Sequence, residues 1–123
     1  MAEEGKYDTG KLTRYPHMFP LDIVIWERFI DSYGNDFLSF DYDVKVGSGT
    51  EPIEGLGSEY ARMQSILSKY RIDVVGYKSD AIWIIETKPE AGTVAIGQIE
   101  AYTRLYKRDL VPKLPVIGCI ITD

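Results

Sequence analysis

Two apolar, β-branched runs separated by only three polar residues constrain this chain more than any other feature. Tyr70 to Tyr77 and Ala81 to Lys88 flank the turn Lys78-Ser79-Asp80. Runs of that kind joined by so short a connection predict a β-hairpin. The second run is apolar on both faces as far as Glu86, which predicts a strand in the middle of a sheet. A chain of 123 residues is one domain's worth, so a single core should form around this hairpin.

The flanking segments supply the remaining elements. Leu21 to Tyr33 carries Ile23, Trp26, Phe29 and Ile30 at helical spacing, with Pro20 suited to a first turn and Gly34 to a stop. Phe37 to Val46 alternates, placing Leu38, Phe40, Tyr42, Val44 and Val46 on one face and Ser39, Asp41, Asp43 and Lys45 on the other. Residues 47–58 are a loop by composition, and no Gly-Lys-Ser/Thr makes it a phosphate loop. Ser58 caps a short helix reaching Lys69. Thr93 to Arg108 is a second long helix, and Leu114 to Thr122 a last apolar strand. The short 58–69 segment aside, the order is helix, three strands, helix, strand. That is an α/β domain spanning 20–123, preceded by an irregular arm at 1–19.

Charge and cysteine content exclude several roles. Fourteen Lys and Arg against 19 Asp and Glu rule out a wholesale basic coat for gripping nucleic acid. The basic residues gather in the second half: residues 61–123 hold 9 against 7 acidic, whereas residues 1–60 hold 5 against 12. No apolar run approaches a membrane span. The lone Cys119 and the lone His17 match no zinc-site spacing. With a polar, acidic N-terminus as well, a reducing, cytoplasmic compartment is expected.

The chemistry concentrates at the end of the hairpin. Side chains two apart on a strand point the same way, so Glu86 and Lys88 share a face just before Pro89. Alone, that triplet is also readable as the solvated end of a strand. Asp73, set between Ile72 and Val74, lies about as far before Ser79 as Glu86 lies after it. The hairpin therefore places two carboxylates nearly opposite, which is repulsive unless a cation sits between them. Mg²⁺ favours such oxygen ligands, completed by waters and phosphate oxygens. Glu27 on the first helix is readable as an ordinary surface acid. Gln98 and Tyr102, four apart on one face of the second helix, allow an equally plain reading as a core edge.

Taken together, Asp73, Glu86-Thr87-Lys88, Glu27 and the stretch Gly97-Gln98-Ile99-Glu100-Ala101-Tyr102 resemble the PD-(D/E)xK nuclease superfamily. The likeness covers residues 21–122 and is nearest to resolvase-like and exonuclease-like branches with Gln and Tyr on the helix after the motif. Ile72 stands where the nominal motif has Pro. The resemblance implies a restriction-endonuclease-like αβββαβ core, a mixed four-stranded sheet flanked by helices. It implies Asp73, Glu86, the Thr87 carbonyl and Glu27 as ligands of Mg²⁺ or Mn²⁺. Lys88 would orient the attacking water, and Gln98 and Tyr102 would position water or phosphate.

The expected activity is metal-dependent hydrolysis of DNA, structure-dependent or weakly sequence-specific, with RNA left open. Arg104, Lys107 and Arg108, and separately Arg62 and Arg71, are candidates for backbone contacts. The acidic net charge implies weak affinity alone, raised by a homo-oligomer or by an assembly that delivers DNA. Repair, recombination and phage DNA processing all fit. The rivals are a catalytically silent binding or assembly module of the same fold and an unrelated α/β interaction protein. An acyl-transfer hydrolase has no Gly-x-Ser-x-Gly elbow to support it.

Overall fold

The computed structural model describes residues 4–47, 70–90 and 92–122. The short helix expected at 58–69, the loop beyond Gly47 and Arg62 lie outside them. Helix α1 is Pro20–Tyr33, followed by a single 3₁₀ turn at Gly34–Asp36. Strands β1 (Ser39–Val46), β2 (Tyr70–Tyr77) and β3 (Ile82–Lys88) come next. Helix α2 (Thr93–Leu110) and strand β4 (Val116–Thr122) complete the order.

The sheet is mixed and runs β1-β2-β3-β4, with antiparallel pairs β1/β2 and β2/β3 and a parallel pair β3/β4. The parallel pair requires a crossover, and α2 provides it. β3 therefore lies inside the sheet, with Ile82, Ile84 and Ile85 fully buried, as its uninterrupted apolar run predicts. The fold is α/β, with one helix on each face. Trp83 and Ile85 pack with Trp26 and Ile30 of α1. Ile82 and Ile84 pack with Ile99 and Tyr106 of α2. Among the described residues no helix is long and apolar enough to cross a membrane.

The α1 side is aromatic. Trp26 is wholly buried between Phe29, Phe40 and Tyr42, and its indole N–H donates to the Tyr42 hydroxyl at 3.1 Å. That bond lets a ring with a polar atom occupy the core. On the other side α2 crosses the sheet. Ile99 and Thr103 lie against Gly118 of β4, and Tyr102 meets Tyr70 of β2. Asp109 accepts the N–H of Gly47, at the end of β1, at 2.7 Å.

The alternation expected along β1 is broken. Phe40 and Tyr42 face α1, but Val44 and Val46 join the α2 side, and Leu38 is exposed. The switch falls at Asp43, whose φ of 55° is left-handed. β2 switches at the facing position, since Val74 packs toward α1 and Ile72 toward α2. The ladder runs Tyr42↔Val74 and then Val44↔Ile72, omitting the rung between Asp43 and Asp73 while keeping the register. Asp tolerates the left-handed region better than most residues, and a β-branched side chain there would be an outlier.

Residues 4–19 contribute no helix or strand, yet they pack closely. Tyr7 and Phe40 exchange backbone hydrogen bonds of 2.9 Å, and the Gly5 N–H donates to Ser39 Oγ at 2.7 Å. Tyr15 is buried against Tyr42.

Packing between β2 and the aromatic cluster is tight enough to test. A Cβ added at Gly76 would fall 2.6 Å from the Phe37 ring and 3.3 Å from Ile85. Gly76→Ala should therefore destabilise the protein by about 1–3 kcal/mol through overpacking, read from urea denaturation.

Candidate active site

The β2/β3 ladder ends at Val74↔Ile85, and one step further along the same register Asp73 faces Glu86. There the backbone rung gives way to side-chain bonds. The Thr87 N–H and the Thr87 hydroxyl both donate to Asp73 Oδ2, each at 3.1 Å. Thr87 is only 2% exposed, so Asp73 is fixed by partners that hold one orientation. Its carboxylate takes the place of the backbone carbonyl that a continued ladder would offer. The opposition of the two acids is the one that the hairpin spacing predicts.

Glu86 is 2% exposed, and its Oε1 is buried without a hydrogen-bond partner. A carboxylate in that state is unfavourable unless something pairs with it. Burial, and after it the hydrogen bond and negative charge of Asp73, push the Glu86 carboxyl up to about 9, partly offset by the Lys88 charge. Near neutrality and without a cation, Glu86 therefore holds a proton. Tyr102 approaches from α2. Burial first, then the charges of Glu86 and Asp73, push its phenol up to about 12. It stays protonated, so its hydroxyl can donate a hydrogen toward the acids or toward what they hold.

Asp73, Thr87 and Lys88 also line a cavity of about 520 Å³ opening toward the start of α1. The structure thus brings together Asp73, Glu86, Thr87, Lys88 and Tyr102. Gln98 is half-buried one helical turn before Tyr102. Glu27 is engaged elsewhere, accepting the Tyr15 hydroxyl at 3.0 Å, so its carboxylate braces the arm. Among the described residues no group of three His, Cys, Asp or Glu is arranged to hold a metal. The set fits a cation that draws on one or two carboxylates and otherwise on water and phosphate, as Mg²⁺ does. The unpartnered Glu86 Oε1 beside the fixed Asp73 carboxylate is the donor pair such an ion needs.

The cationic candidates are dispersed. Arg104 is exposed and paired with Glu100 at 2.9 Å, and Arg108 is paired with Asp109 at 2.8 Å. Exposed pairs of this kind contribute little to stability. Lys107 is exposed on the same helix. Arg71 is turned inward, to Asp43 at 3.3 Å.

Sequence reasoning missed Asp43 and His17 as neighbours of this site. Asp43 faces Asp73 across the omitted rung, with Oδ1 buried and unpartnered and Oδ2 3.9 Å from the His17 imidazole. Asp43, Asp73 and Glu86 therefore form one row across three strands. The spacing of β1 to β2 is not readable through the long connection between them, and nothing in the alternation marks Asp43 as left-handed.

The raised carboxyl has a consequence for stability. A folded-state value above the ordinary one means that the native protein binds the proton more tightly than the unfolded chain. Stability of the metal-free protein is then fully present below the ordinary carboxyl range and falls as pH rises toward about 9. Glu86→Gln, neutral at every pH, should flatten that decline and raise the melting temperature in alkaline buffer with EDTA, measured by calorimetry across pH.

No family model matches the chain, and no curated protein or solved structure does either. What the site can do follows from its own residues.

Proposed function

We propose that this protein is a Mg²⁺- or Mn²⁺-dependent nuclease that hydrolyses phosphodiester bonds in DNA, with a restriction-endonuclease-like core. The observation that carries this reading is the meeting of the Asp73 and Glu86 carboxylates at the opened end of the β2/β3 hairpin, with Lys88 beside them. Burying a carboxyl with an orphaned oxygen beside a second acid gains nothing for folding. It becomes useful where a cation and a phosphate are recruited. The element order and the mixed sheet, with the site at the end of the hairpin, support the superfamily reading.

A cation bound there supplies Lewis acidity at the scissile phosphate and makes its water a better nucleophile. Asp73 and Glu86 would hold it, with the Thr87 carbonyl as a further oxygen. Thr87 keeps Asp73 oriented through its two donated hydrogen bonds. Lys88 places an ammonium where negative charge develops on the phosphate, and it orients the attacking water. The Tyr102 phenol donates to a phosphate oxygen, and Gln98 offers an amide to water or phosphate from the same face of α2. The exposed basic residues of α2, Arg104, Lys107 and Arg108, would meet the strand backbone and contribute chiefly by releasing counterions.

The rival reading, a silent binding module of the same fold, draws on the engagement of Glu27 by Tyr15, which holds that carboxylate on the arm. A cleavage panel of single-stranded, duplex, flapped and four-way DNA with Mg²⁺, Mn²⁺ or EDTA separates the two. Cleavage should require metal.

Lys88→Ala should lower the single-turnover rate by on the order of 10²–10³ at saturating protein while calorimetry still detects metal binding. Cleavage that persists in EDTA, or an unaltered rate in Lys88→Ala, would overturn the mechanism. Lys107→Ala should weaken binding across all sequences and reduce the salt slope by about 1, with its rate largely recovered at saturation.

A further inference from the structure

The cavity beside the acids is larger and more apolar than a phosphate and a cation need. Asp73, Thr87 and Lys88 line it from the strands, and Phe19, Leu21 and Pro89 line it with apolar side chains. Phe19 is 75% exposed and Leu21 65%, two large apolar side chains left in water at the start of a helix. Phe19 is also the N-cap of α1, where Ser, Thr, Asp or Asn would accept a hydrogen bond from the first turn. It has no oxygen to do so. Only half of a capping exchange remains, with the Phe19 N–H donating to Asp22 Oδ2 at 3.3 Å. A local rule of helix formation is thus broken at the rim of the site, and such departures concentrate where function sets the residue.

The charges around the cavity select its occupant. Lys88 is the one Lys or Arg among its lining residues, and Asp22 and Asp73 border the same space. A second phosphate further out would meet carboxylate, whereas a flat, uncharged ring would meet Phe19, Leu21 and Pro89. His17, which also lines the cavity, supplies an imidazole for the polar edge of that ring. An aromatic side chain next to a phosphate position is the arrangement on which single-stranded nucleic acid stacks its bases. In an intact duplex the bases are paired and stacked on one another, so an exposed ring cannot reach their faces.

Building on the nuclease reading, we propose that this cavity takes the base of an unpaired nucleotide next to the phosphate held at Lys88, stacked on Phe19. The substrate class is therefore DNA with an unpaired residue at the cut: a flap, a gap, a loop or a single-stranded end. Phe19→Ala removes an exposed side chain and leaves the backbone bonds of the cap in place, so the fold is retained.

The test reads binding apart from cleavage. Fluorescence anisotropy with Ca²⁺ in place of Mg²⁺ compares single-stranded, flapped and fully paired oligodeoxynucleotides of equal length. Unpaired DNA should bind more tightly than paired. Phe19→Ala should lose roughly 5- to 150-fold for unpaired DNA, the range expected of one base stack, and change little for paired DNA. Phe19→Trp should retain the preference. Light-induced crosslinking of an oligonucleotide containing 5-iodouracil should map to Phe19 or its immediate neighbours. Equal or absent binding of both forms, or an unaltered preference in Phe19→Ala, overturns the proposal. Loss of the Phe19 effect with metal-dependent cleavage intact removes the base cavity and leaves the nuclease reading standing. A Phe19-dependent preference without cleavage in any metal does the reverse.

Discussion

One missing stretch of backbone pairing organises the molecule. Where β2 and β3 stop exchanging main-chain hydrogen bonds, the Asp73 carboxylate moves into the gap and takes two donors from Thr87. The gap lets the Glu86 side chain turn inward without a partner for Oε1. Around it, β1 and β2 change face together at Asp43 and Asp73. The hairpin ladder is thus regular from Tyr77↔Ile82 to Val74↔Ile85 and interrupted at the end that carries the acids. The apolar packing of Ile82, Ile84 and Ile85 against both helices offsets the unfavourable burial of an unpartnered carboxyl oxygen at the other end.

The two helices then act on this opening from opposite sides. α1 begins beside Asp73 and Thr87 and forms one wall of the cavity, so the geometry of its first turn sets what can enter. α2 crosses from β4 to β1 and brings Tyr102 to the acids on the way. Its contacts with Gly118 at one end and Gly47 at the other hold the phenol at a defined position. Rigid elements of this kind position groups better than loops do.

Much of this arrangement was legible in the sequence, for a simple physical reason. Apolar runs interrupted by a three-residue turn leave few registers, and the register that buries both runs also sets Asp73 against Glu86. The period of α2 placed Gln98 and Tyr102 together in the same way. Features that depend on long-range closure were not legible. Asp43 reaches the site only because β1 pairs with β2 through a connection whose length carries no register information. Its left-handed backbone also inverts the alternation expected for Val44 and Val46. Glu27 is suggested as a ligand by the family resemblance, while its helix position reads as that of a surface acid. The Tyr15 hydroxyl that engages it comes from an arm without periodicity.

That arm has a bearing on how the protein behaves at high concentration. β1 is the last strand on its side of the described sheet, and an uncovered edge of that kind invites pairing with other chains. Backbone bonds from Tyr7 to Phe40, together with those from Gly5 to Ser39 and from Lys6 to Asp41, occupy donors and acceptors along it. A short irregular strap, too brief to count as a strand, thereby does what charged or proline-bearing edges do in other sheets. Edge protection and the cavity wall share one segment of chain, because the residues that shield the edge continue directly to His17 and Phe19, which line the cavity.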